Sequence, residues 1–460
     1  MKFGNVCHRT KREFILKLFS CMAFFLLFAA PAIASNAVKE YSLAELYRVA
    51  LENSERVKLS EEELYISERT KDKAISVLLP RLSAFGGYAK YSEDKFSAGG
   101  QVIQPQHASS WGLRLDQSFS LSGREITALK ISLIGIEKGR FDLYAARESY
   151  IMSVTSAYYD VLKAKKFLDI AKANVQRLIK HRDAALVRFK VGEVTKTTLL
   201  RAEAELSGAK SELVKAENSL RLFRSVLSRV VGIYGEFDIK ESPVSQDLEL
   251  KEDFLLSQPC TLPQLECYKQ KAFEERADLK SLETQKRIAE KQVSYAIGSY
   301  LPSISIEGVW LRQDQEPLSA LFNKESVYGA VKINFPFFEG GLRRAEVSEA
   351  EARKRQAGLL YDDHKKTIGV EVENAYLDFV TLKGILSSLE DQLTFARDNF
   401  NSVTRQFELG LANSIDVIDA NTLFITAERQ YSEALYNFQV SQVRLKKVMG
   451  ILLKAVDGRN

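Results

Sequence analysis

Histidine, cysteine, methionine, tryptophan and proline are all scarce here, at four, four, four, two and nine residues in 460. Past residue 34 only His107, His181 and His364 remain, in unrelated contexts, and no Gly-rich phosphate loop or nucleophile motif accompanies them. An enzyme is therefore not expected, and no cofactor or metal site is implied. Met152 and Met449 are the last two methionines, too few for a thioether relay of soft metal ions. No segment after residue 34 is apolar for long enough to cross a bilayer as a helix. From Ile126 to Phe189 there is no proline and there are only two glycines, so nothing there breaks a helix.

Net charge is also small once its source is located. Lys2, Arg9, Lys11, Arg12 and Lys17 precede an apolar run, Leu18 to Ala30, and a small-x-small site, Ala32-Ile33-Ala34. This reads as a secretory signal over 1–34, the alternative being a retained anchor helix. Its five basic residues and Glu13 account for +4 of the total +5, leaving +1. No nucleic-acid partner is expected from so even a balance. Export leaves two cysteines, Cys260 and Cys267, as a possible disulfide or as two free thiols.

What is present is a long duplication. A shift of 218 residues lays Ala157-Tyr158-Tyr159-Asp160 on Ala375-Tyr376-Leu377-Asp378, Phe189 on Phe407, Gly192 on Gly410, and Gly232-Ile233 on Gly450-Ile451. The period exceeds that of solenoid units, so two copies of one large unit are expected. We assign 35–235 to the first repeat, 236–274 to a segment between repeats, and 275–460 to the second.

Each repeat carries a long helical hairpin, about 124–231 and 342–452. Val161, Ala164, Leu168, Ala171, Val175, Leu178, Ala185 and Phe189 keep a seven-residue rhythm on the outgoing arm. On the return arm Leu199, Ala202, Leu206, Ala209, Leu213, Ala216, Leu220, Phe223, Leu227 and Val230 alternate in steps of three and four. The second copy preserves that seam from Val417 to Val448. This is coiled-coil spacing.

Four segments have period two instead, at about 82–91, 109–119, 303–311 and 326–337. Trp111, Leu113, Leu115 and Phe119 share one face, while Gly112, Arg114, Asp116 and Ser118 share the other. Ile304, Ile306, Gly308 and Trp310 alternate with Ser303, Ser305 and Glu307 in the same way. The lengths suit strands tilted across a bilayer, in two β-hairpins. Four strands cannot close a barrel, and lipid tolerates no open edge, so in a bilayer several chains must contribute; the alternative is a small soluble sandwich over the helices.

Together these features resemble the TolC family of outer membrane efflux proteins. The most specific phrases run from Arg188 to Thr195, around Val191-Gly192-Glu193, and from Phe407 to Ala420, around Leu409-Gly410-Leu411. Asn334-Phe335-Pro336-Phe337-Phe338-Glu339-Gly340-Gly341 resembles the family's strand-to-helix exit. The resemblance implies a mostly α fold with a membrane β-barrel contribution: a homotrimer with one barrel in outer membrane lipid and a periplasmic helical tunnel. It implies a passive exit duct for a tripartite efflux or type I secretion system. A periplasmic adaptor and an inner membrane pump of RND, ABC or MFS type would be its partners. The alternative is a structural or adhesive periplasmic coiled coil without a pore.

By the same resemblance, Arg188, Val191, Gly192, Glu193, Leu409, Gly410 and Leu411 would meet the adaptor. Asp416 and Asp419, three apart on one helix face, would form a carboxylate ring at the periplasmic gate. Thr198 stands where a second copy of Asp416 would fall, and Ala412 where some members carry a gate-holding arginine. Closure here would rest on other contacts.

Overall fold

The computed structural model describes residues 39–241, 263–319 and 322–457. The expected signal at 1–34 and Cys260 lie outside them; Cys267 is disulfide-bonded.

In chain order the strands are β1 (Lys39–Tyr41), β2 (Arg81–Lys90), β3 (Lys95–Phe96), β4 (Val102–Gln104), β5 (His107–Ser120), β6 (Phe237–Ile239), β7 (Ser303–Glu316) and β8 (Glu325–Asn334). The helices are α1 (Leu43–Asn53), α2 (Glu55–Ser76), α3 (Arg124–Lys190), α4 (Lys196–Val231), α5 (Gln264–Glu275), α6 (Ala277–Ile297), α7 (Leu342–Glu408), α8 (Ser414–Val448) and α9 (Leu452–Asp457). The described chain divides into two units. The smaller includes β1 and residues 235–238, where Tyr41 and Phe237 meet edge to face at 5.9 Å. The larger holds the remainder.

Within the larger unit the two repeats fold alike. The long outgoing helices, α3 and α7, are each 67 residues, about 100 Å at 1.5 Å per residue. Each begins after a glycine in the left-handed region, Gly123 at φ 68° and Gly341 at φ 85°. The returning helices, α4 and α8, pack along their partners. Leu178 and Val175 bury against Leu206 and Ala209 in the first hairpin, and Leu393 and Ala396 against Phe424 and Ala427 in the second. The small residues at alternate seam sites let the backbones approach. Farther along α4, Leu213, Ala216, Leu220 and Phe223 are only half-buried among the described residues.

Above the hairpins α2 packs on α3 and α6 on α7, with α3 also against α6. One core there joins Tyr268, Leu279, Ile368, Val372, Phe379, Phe438, Leu445 and Met449. Beside it Arg276, only 5% exposed, binds Asp278 through Nε at 3.0 Å and Nη2 at 2.5 Å, and Glu371 through Nη1 at 2.5 Å. His364 Nε2 lies 2.9 Å from the same Asp278. Burial pushes Asp278 up, but Arg276 outweighs it and holds the carboxyl at about 2.

The sheet has strand order β2-β5-β7-β8, antiparallel throughout. Leu113 opposes Trp310 and Phe119 opposes Ile304, while Trp310 opposes Val327 and Ile306 opposes Val331. One face is therefore apolar, with Trp111 and Trp310 edge to face at 4.8 Å. On the other, Glu307 accepts from Lys332 and lies 3.3 Å from Arg114 Nε. β7 runs past the expected residue 311 to Glu316, because the polar stretch 312–316 still pairs with β5. β8 ends at Asn334, short of 337, where Pro336 removes a ladder donor. Among the described residues β2 and β8 are each paired on one side only. No described helix is long and apolar enough to cross a membrane.

Candidate functional site: the hairpin tips

Both long helices stop at a glycine, and both stop in the same way. Gly192 (φ 81°) donates to the Phe189 carbonyl at 3.1 Å, and Glu193 to Arg188 at 2.9 Å. Gly410 (φ 76°) donates to Phe407 at 3.1 Å, and Leu411 to Gln406 at 2.8 Å. This paired 5→2 and 6→1 pattern closes a helix on a left-handed residue, which side-chain-bearing residues resist. Around the turns Val191, Leu409 and Leu411 are 65%, 75% and 76% exposed. Three aliphatic side chains at the loop tips thus stand bare of cover by the described residues.

Asp416 and Asp419 both lie exposed on the first turns of α8. Asp416 also closes the helix start, where its Oδ2 accepts from Asn413 N at 3.0 Å, while Asn413 Oδ1 accepts from Ile415 N at 2.8 Å and Asp416 N at 3.0 Å. That reciprocal cap favours an acidic residue at the third helical position. In the first copy Thr198 Oγ1 meets Thr195 Oγ1 at 3.3 Å, an uncharged version of the same turn. The position matching Asp419 at the 218 shift is Arg201, also exposed.

Arg188 is turned inward from the tip. Its Nη2 donates to the carbonyls of Phe407 at 2.6 Å and Glu408 at 3.3 Å, and its guanidinium sits 4.1 Å from the Phe407 ring centroid. It thus caps the end of α7 from the other repeat. Farther from the tip His181 Nε2 lies 2.8 Å from Ser414 Oγ, Arg177 Nε donates to Asn421 Oδ1 at 3.1 Å, and Asn421 Nδ2 to Asn174 Oδ1 at 3.0 Å. Burial and the Arg188 charge lower His181 below its ordinary value. Sequence reasoning missed this polar seam between α3 and α8. Its signal, Asn174, Arg177, His181 and Arg188 at helical spacing, is the one a solvated face also gives.

A duplicated pair of helical hairpins ending in matched tips, beside a sheet with one apolar and one charged face, narrows the choice of family. The family model described as outer membrane efflux protein matches residues 46–232 and again 269–451. The chain belongs to this family. Outer membrane protein TolC of Vibrio cholerae is 24% identical over 440 residues, covering 92% of this chain and 94% of that one. The alkaline protease secretion protein AprF of Pseudomonas aeruginosa is 21% identical over 457 residues, covering 97% and 90%. The solved CmeC outer membrane channel of Campylobacter jejuni superposes with a TM-score of 0.75 at 18% identity, covering 89% and 86%.

This outer membrane efflux protein is accordingly an exit duct of the outer membrane with a helical periplasmic part, in a family of channels rather than enzymes. The tips lie at the ends of the long hairpins away from the four-stranded sheet.

Proposed function

We propose that three copies close one twelve-stranded barrel and one helical tunnel, passively conducting substrates that an inner membrane pump and a periplasmic adaptor deliver. The observation that carries this reading is the sheet of four strands, apolar on one face, with β2 and β8 unpaired on their outer edges. In lipid an unpaired strand edge costs several kcal/mol per backbone group. Closure by further copies removes that cost, and family membership supports the number three.

In this assembly Val191, Gly192, Glu193, Leu409, Gly410 and Leu411 meet the adaptor, and Arg188 holds the two tips in register for it. Asp416 and Asp419 line the periplasmic entrance, six carboxylates interleaved with three copies of Thr198 and Arg201. The balance of six negative and three positive groups favours cations. A disulfide from Cys267 to Cys260 would brace the segment between the repeats. Cargo is set by the pump, whether of RND, ABC or MFS type.

Planar-bilayer recording of the purified chain tests this. The expected result is cation-selective conductance, weakened by Asp416→Ala with Asp419→Ala. Absence of conductance refutes the duct, and unchanged selectivity refutes the gate.

A further inference from the structure

The charged face of the sheet carries its charge unevenly. Cross-strand pairing puts Arg81, Asp116 and Glu307 in one row, Arg114, Val309 and Tyr328 in the next, and Phe85, Gly112 and Leu311 in a third. Lys332 stands one row on the other side, opposite Ser305. Toward the strand ends farthest from the helices the same face carries Gly87, Ala89, Ser110 and Gln313. Within the strands, its three basic and two acidic side chains are thus confined to the half that joins the helices.

The depth of those charges matters more than their count. Glu307 accepts from Lys332 and lies 3.3 Å from Arg114 Nε, and its side chain is 12% exposed against 47% for Arg114 and 64% for Lys332. The carboxylate lies low, with the two cations above it. A solute approaching this face therefore meets positive charge first. Arg114 is also held by its guanidinium, 5.3 Å from the Phe85 ring centroid. Phe85 can lie so low because Gly112 opposite it has no side chain; a Cβ there would stand 3.0 Å from the ring. Stacking fixes the plane of a guanidinium and leaves its edge to take a carboxylate through paired donors. Around it the exposed Tyr328 and the half-buried Phe85 and Leu311 offer an apolar floor.

We propose that this patch is a substrate station inside the barrel that takes amphipathic organic anions. The apolar or aromatic body lies on Phe85, Leu311 and Tyr328, and the carboxylate or sulfonate sits between Arg114 and Lys332. This inference rests on the multi-chain duct proposed above, which makes this face the lumen and repeats the patch in every copy. Glu307 is a positioning residue, drawing the two cationic heads together while screened from the ligand. The entrance at Asp416 and Asp419 has the opposite sign, so an anion held here has been delivered past that ring rather than drawn through it.

The test uses the full chain assembled in lipid nanodiscs and dialysed to equilibrium at low salt against naphthoate, with empty discs subtracted. Naphthylmethanol, an uncharged analogue, is run in parallel. Saturable retention of naphthoate above naphthylmethanol is expected. Arg114→Gln with Lys332→Gln should weaken it roughly tenfold, the worth of one hydrogen bond to a charged group. Glu307→Gln should strengthen it, which a misfolded chain would not do. Equal retention of the two probes, a double variant that binds like wild type, or weaker binding by Glu307→Gln overturns the station. Conductance of the same preparation separates this from the duct. A conducting channel that retains no naphthoate loses the station and keeps the duct, whereas charge-dependent retention without conductance keeps the station and loses the duct.

Discussion

Glu148→Gln should abolish a pH dependence that the fold builds into its last helix. Glu148 lies on α3 at 5% exposure, and its Oε1 accepts from Leu453 N at 3.3 Å, at the start of α9. Burial pushes its pKa from 4.5 to about 7; the amides of Leu453 and Leu452 and the charge of Lys447 pull it down, while Asp278 pushes it up. When α9 lifts away, the carboxyl meets water and its pKa returns toward 4.5. Between those values the docked state holds one more proton than the open state, so docking weakens as pH rises from about 4.5 to about 7 and is level beyond. A shift of that size corresponds to about 3 kcal/mol, or roughly two orders of magnitude in the opening constant. Amide hydrogen exchange over Leu452–Asp457, corrected for intrinsic rates, reads it directly. Wild-type protection should fall about a hundredfold between pH 5 and pH 8. Protection in Glu148→Gln should stay nearly level. A level wild type, or a variant that keeps the fall, refutes the reasoning.

Gly112→Ala should disrupt the sheet, because the added Cβ would stand 2.3 Å from the Trp310 carbonyl oxygen and 3.0 Å from Phe85. Overpacking against backbone costs about 3 kcal/mol, and should appear as a lower folded yield from outer membranes. Arg276→Ala leaves the half-exposed Asp278 and Glu371 without their buried partner and should cost about 1.5–3 kcal/mol in thermal unfolding. It should also remove the part of stability that wild type loses as pH falls from about 3.8 to about 2. A several-residue insertion after Gly410 should spare barrel assembly and abolish efflux, measured as substrate accumulation; retained efflux argues against docking at the tips.

What the sequence made legible was local and periodic. The seam of Leu199, Ala202, Leu206 and Ala209 is written every three or four residues, so its buried face followed at once. The two tips were equally plain, because only a glycine suits the left-handed turn that Gly192 and Gly410 make. The order β2-β5-β7-β8 was not, since β5 pairs with a strand nearly two hundred residues away and no period links them. Arg188 at a tip looks like a solvent-facing cation until α7 is brought beneath it. Asp416 was legible as a gate charge, and in the folded chain its carboxylate also closes the start of α8. Polar seams hide in sequence because burial, not residue type, distinguishes them from surface.

In the proposed duct one chain's four strands are an incomplete barrel. The mass of the purified chain in detergent, by sedimentation with the detergent's contribution subtracted, counts the chains that complete it. A single species at three chain masses is predicted. A stable, folded monomer, with β2 and β8 unpaired at their outer edges, would contradict it.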